Sequence, residues 1–199
     1  MNNRVKKEQI DVLTELINIG VGRAASVLNE MTNTHILLQI PRVQILQANN
    51  WDQEIERIIP KNGKISTIQL GFSGEFSGTV ALFFTADSAS KLVTILTAEE
   101  TISVDLNSLR VGTLTEIGNI LINNIMGSIG NMLKKPLSFS IPQYGEDDIE
   151  HLLNGNLAEN ASMLLVNTHF ELDQKHVDGT ILMLFEVETL NNLIKEIML

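Results

Sequence analysis

Between residues 8 and 32 apolar side chains recur every three or four positions, the period of a helix with one buried face. On a wheel of 100° per residue, Leu13, Leu16, Ile17, Gly20, Ala24, Val27, Leu28 and Met31 share a broad inward face, while Asp11, Glu15, Asn18 and Gly22 form an outward stripe. The period then changes. His35 to Gln47 is rich in Ile, Leu and Val, and strand patterns follow at 64–72 and 76–85. Asp87 is the expected N-cap of a helix reaching about residue 98. The same order returns downstream: a helix near 105–133, strands near 136–143, 161–172 and 177–187, and a closing helix to Leu199. The connectors at 49–62 and 145–160 carry the weakest signals. Ile117 to Leu133 is uncharged, but Asn119, Asn123, Asn124 and Asn131 within it mark a mostly buried soluble helix rather than a membrane span.

Shifting the sequence against itself by 101 positions aligns thirteen identical pairs without a gap, five of them between positions 13 and 19. They include Leu13/Leu114, Glu15/Glu116, Asn18/Asn119, Pro41/Pro142, Gly78/Gly179 and Phe84/Phe185. The chain therefore reads as two tandem helix–strand–strand–strand–helix copies, about 8–98 and 109–199. Solenoids need several short units, so one long period repeated once predicts a different architecture. We expect one α+β domain over residues 1–199, pseudo-two-fold symmetric, with a mostly antiparallel shared sheet flanked by two long helices.

Composition narrows the functional classes. The 199 residues are 44% hydrophobic, enough for a sizeable core, and mean hydropathy is +0.12. Against 24 acidic residues stand 14 Lys and Arg, for a net charge of −10 with no basic block, which disfavours nucleic acid and anionic membranes as partners. No cysteine is present, so disulfides, thiolate metal sites and a cysteine nucleophile are excluded. With no signal-peptide pattern at the amino terminus, the expected compartment is the cytoplasm.

The candidate chemistry lies on the outward helix stripes. Glu15 and Asn18, three residues apart, leave the helix side by side, and Glu116 and Asn119 repeat them, flanked by Gly112 and Asn123. A Glu can pair with a cation on a partner, and an Asn can orient a water molecule through its acceptor and two donors. Gly22 would let a partner approach the backbone. Such residues are commonly just solvated, but here they match between copies whose neighbouring positions have diverged.

These residues resemble the signature of the CheC, CheX and FliY phosphatases of chemotaxis: Asp or Ser, three residues, Glu, two residues, Asn, twenty-two residues, Pro. Asp11, Glu15, Asn18 and Pro41 meet it in full; Glu116, Asn119 and Pro142 meet it again, with Gly112 where the signature has Asp or Ser. Two signatures in one chain resemble CheC more than the single-signature, dimeric CheX. The end of the sequence after the second copy also suggests CheC rather than FliY with its appended switch domain.

The resemblance implies a cytoplasmic hydrolase of two-component signalling that removes the aspartyl phosphate of a CheY-type response regulator. Glu15 and Glu116 would engage the regulator's active-site lysine, and Asn18 and Asn119 would position the attacking water. Asp11, Gly22, Gly112 and Asn123 would line the partner-binding faces. No metal or cofactor is expected in this chain, since magnesium would sit on the regulator. The deamidase CheD is a further expected partner, and a monomer is the expected state. The alternative is a non-enzymatic adaptor that binds CheD or a regulator with hydrolysis weak or lost.

Other motifs weigh less. Gly20-Val21-Gly22-Arg23-Ala24-Ala25 fits a dinucleotide pattern only inside a helix, where that pattern has no function. His35, His151, His169 and His176 lack metal-ligand spacing. The acidic run Glu146, Asp147, Asp148 and Glu150 reads as a solvated loop, and Trp51 as either a partner anchor or connector packing.

Overall fold

The computed structural model describes residues 7–32, 35–47, 64–97, 106–147, 161–172 and 175–197; Trp51, Asp148, Glu150, His151, the whole 49–62 connector and most of the 145–160 connector lie outside them. The first copy comprises α1 (Lys7–Thr32), β1 (Ile36–Gln47), β2 (Ile65–Ser73), β3 (Gly78–Thr85) and α2 (Ala86–Thr97). The second comprises α3 (Leu106–Leu133), β4 (Ser138–Phe139), β5 (Gln143–Asp147), β6 (Ala161–Leu172), β7 (Lys175–Glu186) and α4 (Val187–Ile197). The fold is α+β, with an antiparallel sheet packed against long helices, as the duplicated pattern predicts.

The sheet interleaves the copies. Its strand order is β1-β6-β7-β3-β2-β4, with β5 also on β2, and every pairing is antiparallel. Each copy contributes its second and third strands as a hairpin, and the two hairpins meet at β3 and β7. There Thr79 faces Leu184 and Phe83 faces Thr180, two pairs that the 101-residue shift exchanges. The first strand of each copy crosses over: β1 pairs with β6 of the second copy, and β4 and β5 pair with β2 of the first.

Alternation puts Ile68, Leu70, Phe72, Val80, Leu82, Phe84, Leu164, Val166, Ile181 and Met183 in one core with side chains from all four helices. The helix faces follow the predicted period, with Leu13, Ile17, Ala24, Leu114, Leu121 and Ile125 fully buried. Val27, Met31 and Met132 depart from it, being 37%, 58% and 43% exposed. They sit in the last two turns of α1 and α3; periodicity fixes direction around a helix axis, not how far along it the packing continues.

Two further details differ from the sequence reading. Thr85, not Asp87, caps α2: its Oγ1 accepts from the Ser88 backbone N–H at 3.2 Å, leaving Asp87 in the first turn to pair with Lys91. The segment expected as one strand near 136–143 is divided around Pro142. It breaks into β4 and β5, and across the gap Ser140 Oγ accepts from Gly71 N–H at 2.9 Å while Ser140 N–H donates to Gly71 O at 2.9 Å. A proline has no N–H to give a ladder. Pro41, its counterpart, lies within β1, where the register against β6 shifts between Gln39 and Arg42.

Gly20 sets the approach of the two long helices. A Cβ there would lie 2.5 Å from Ile125 Cα and 2.8 Å from Asn124 O, so only glycine allows α1 this close to α3. Arg23 Nη1 donates to Ser128 Oγ at 3.2 Å beside this contact. Gly22, two residues on, has nothing within 4 Å. Gly20→Ala should therefore destabilise the fold by about 3 kcal/mol through backbone overlap, whereas Gly22→Ala should stabilise it by about 0.5–1 kcal/mol. Denaturant unfolding of both variants against wild type measures the difference.

Candidate functional site

On α1, buried Leu13, Leu16 and Ile17 fix the rotation of the helix, and the stripe 180° away is turned to solvent. Asp11, Glu15, Asn18 and Gly22 are all exposed, as the wheel predicts. On α3, buried Leu114, Ile117 and Leu121 do the same, with Gly112 and Glu116 exposed and Asn119 and Asn123 half-buried. In each copy the Glu and Asn thus lie one turn apart on the outward side of a helix whose other face is anchored in the core, the second copy's Asn119 being half-buried.

The stripes differ in their neighbours. Asn123 Nδ2 donates to Asn119 Oδ1 at 2.6 Å, and Gly22 holds the corresponding place on α1. Asp11 lies one turn before Glu15, and Gly112 holds its place before Glu116. Asn124 points elsewhere, its Nδ2 donating to Ile120 O at 2.8 Å.

The start of α3 is tied to the sheet by a cluster that sequence reading did not find. Arg110 Nη2 donates to Ser66 Oγ at 2.9 Å and pairs with Glu146 at 3.1 Å. Tyr144 OH donates to the same Glu146 carboxylate at 2.6 Å and lies 3.3 Å from Ser66 Oγ. Glu146 therefore belongs to strand β5 and an ion pair, not to a solvated loop. Its partners lie tens of residues away and have no fixed spacing, so no local pattern announces them. Among the described residues no three His, Asp or Glu side chains gather to hold a metal, and no helix is long and apolar enough to cross a membrane.

No protein-family model matches the chain. It is 24% identical to the CheY-P phosphatase CheC of Bacillus subtilis over 181 residues, which span 87% of this chain and 85% of that protein. By sequence the chain is similar to CheC. The fold agrees. FliY of Thermotoga maritima superposes with a TM-score of 0.76 at 13% identity, over 98% of each chain. The CheX–CheY–BeF3–Mg complex from Borrelia burgdorferi matches with a TM-score of 0.56 at 16% identity, over 87% of this chain and 99% of the matched one.

Burial holds the Tyr144 hydroxyl above the ordinary tyrosine range, and its hydrogen bond to Glu146 pushes it further in the same direction, while Ser66 and Arg110 oppose the shift. A pKa higher in the folded than the unfolded state stabilises the fold below the unfolded value, and that contribution disappears as pH rises through the folded value. Tyr144 is the sole tyrosine, so alkaline ultraviolet titration reads it directly. The native protein should ionise above a pH of about 10 and the denatured protein near it, Tyr144→Phe should abolish the signal, and Glu146→Gln should lower the native midpoint.

Proposed function

We propose that this chain is a phosphatase of the aspartyl phosphate on a CheY-type response regulator, with one site on α1 and one on α3. The observation that carries this reading is the outward placement of a Glu/Asn pair on each of two core-anchored helices, with Glu15, Asn18 and Glu116 exposed and Asn119 half-buried. The naming of the Bacillus subtilis relative as a CheY-P phosphatase supports the substrate, and the CheX–CheY complex supports a regulator as partner.

On this reading the substrate brings the cleft. Glu15 or Glu116 pairs with a lysine in the regulator's active site and fixes the docked orientation. Asn18 or Asn119 then enters that site and orients a water. The water oxygen bonds to phosphorus as the bond from phosphorus to the aspartyl oxygen breaks. The electron pair leaves with the carboxylate, and the water's protons remain with the released phosphate. The chain supplies no nucleophile; its contribution is position and electrostatics, with magnesium held by the regulator. Asp11 lies beside Glu15 as an additional carboxylate for a cationic partner surface, and exposed Gly22 keeps the adjacent helix backbone open to close approach. Gly112 leaves Glu116 without a neighbour of that kind.

Phosphate release from a phosphorylated CheY-type regulator tests the reading. Asn18→Ala and Asn119→Ala should each leave one working site, and the double variant should lose on the order of 100-fold or more, the scale of a lost positioning group. Binding of the regulator or of CheD without accelerated release would replace this reading with that of an adaptor.

A further inference from the structure

The two copies began as one sequence, yet each has kept a different polar neighbour beside its Glu/Asn pair. The second copy has Asn123 one turn after Asn119, where the first has Gly22 after Asn18. The hydrogen bond from Asn123 Nδ2 to Asn119 Oδ1, at 2.6 Å, is the consequence. Asn119 is half-buried and held, while Asn18 is exposed with a glycine in the tethering place.

We propose that Asn123 is a positioning residue for Asn119, fixing its amide so that the α3 site is pre-organised and the α1 site is not. This rests on the phosphatase reading and assigns unequal mechanics to its two sites.

An unrestrained asparagine amide can rotate by half a turn and exchange its oxygen for its nitrogen. A water that attacks phosphorus uses a lone pair for the new bond while an O–H donates a hydrogen bond that orients it, so it must meet the amide oxygen. Asn123 selects that orientation by donating to one lone pair of Oδ1 and leaves the second available to the water. Both residues lie on one rigid helix, four positions apart, so the tether costs little additional order. At Asn18 the amide must be ordered during each docking event, a cost paid from binding.

The test separates kcat from KM. With Asn18→Ala as the parent, so that only the α3 site works, Asn123→Ala should lower kcat on the order of fivefold, the scale of immobilising one side chain, with KM for the phosphorylated regulator nearly unchanged. Asn123→Gln, which keeps an amide donor, should recover part of the loss. Alanine favours helix more than asparagine does, so a folding defect is not expected, and thermal unfolding of the same variants checks it. An unchanged kcat, or a loss confined to KM, would overturn the proposal; the latter would make Asn123 a docking contact. An inactive Asn18→Ala parent beside an active wild type would also overturn it, while leaving the phosphatase reading on α1 intact. An inactive wild type would remove both.

Discussion

Two long helices can offer matching faces to a partner only if something fixes their spacing and rotation, and here that is the backbone contact of Gly20 with Asn124 and Ile125. A methyl group at Gly20 would overlap main-chain atoms, which cannot move aside as a side chain can. The contact brings Arg23 within reach of Ser128 and holds α1 and α3 over one core. Rotation then follows from burial. With Leu13, Ile17, Leu114 and Leu121 sealed inward, Glu15 and Glu116 have no alternative to solvent. Gly118 does for the sheet what Gly20 does for the helix pair, since a Cβ there would meet the Ile68 side chain at 2.5 Å.

Strand exchange binds the copies further. The central β3–β7 pairing keeps the symmetry of the duplication, while β1 and the β4–β5 segment each complete the sheet of the opposite copy. Neither copy therefore owns a full sheet, and the helices they carry share one hydrophobic cluster. The outer strands have diverged where the centre has not: β1 continues through Pro41 with a shift of register, and its counterpart breaks before Pro142 and is bridged by Ser140. Edge strands tolerate such interruption because they lack a second neighbour to satisfy.

Much of this was legible in the residues because it depends on period. Helix and strand repeats alternate in the same order twice, and the 101-residue shift exposes the duplication directly. The outward stripes were equally legible, since a wheel predicts direction and Glu15, Asn18 and Glu116 lie where it points. What depends on distance in space was not. The Arg110–Ser66–Tyr144–Glu146 cluster joins a helix start to a sheet edge across the two copies, and the crossing of β1 to β6 has no local signature. The cap of α2 was misread for a simpler reason: Thr85 and Asp87 are both good capping residues, and only the accepted N–H of Ser88 distinguishes them.

The divergence between the stripes is informative because the fold constrains it so little. Neither Gly22 nor Gly112 would meet any atom within 4 Å if it gained a Cβ, so packing does not demand glycine at either place. Glycine inside a helix is also intrinsically unfavourable, by about 1 kcal/mol relative to alanine. Gly127 on α3 is equally open, so an open glycine alone marks no particular use. The bare positions fall at opposite ends of the two stripes, after Asn18 in one and before Glu116 in the other. Each stripe therefore has a bare helix position at one end and a polar group at the other. Asp11 furnishes the glutamate in the first copy, and Asn123 furnishes the asparagine in the second. The two faces share their central pair but differ in which member of that pair the helix supports.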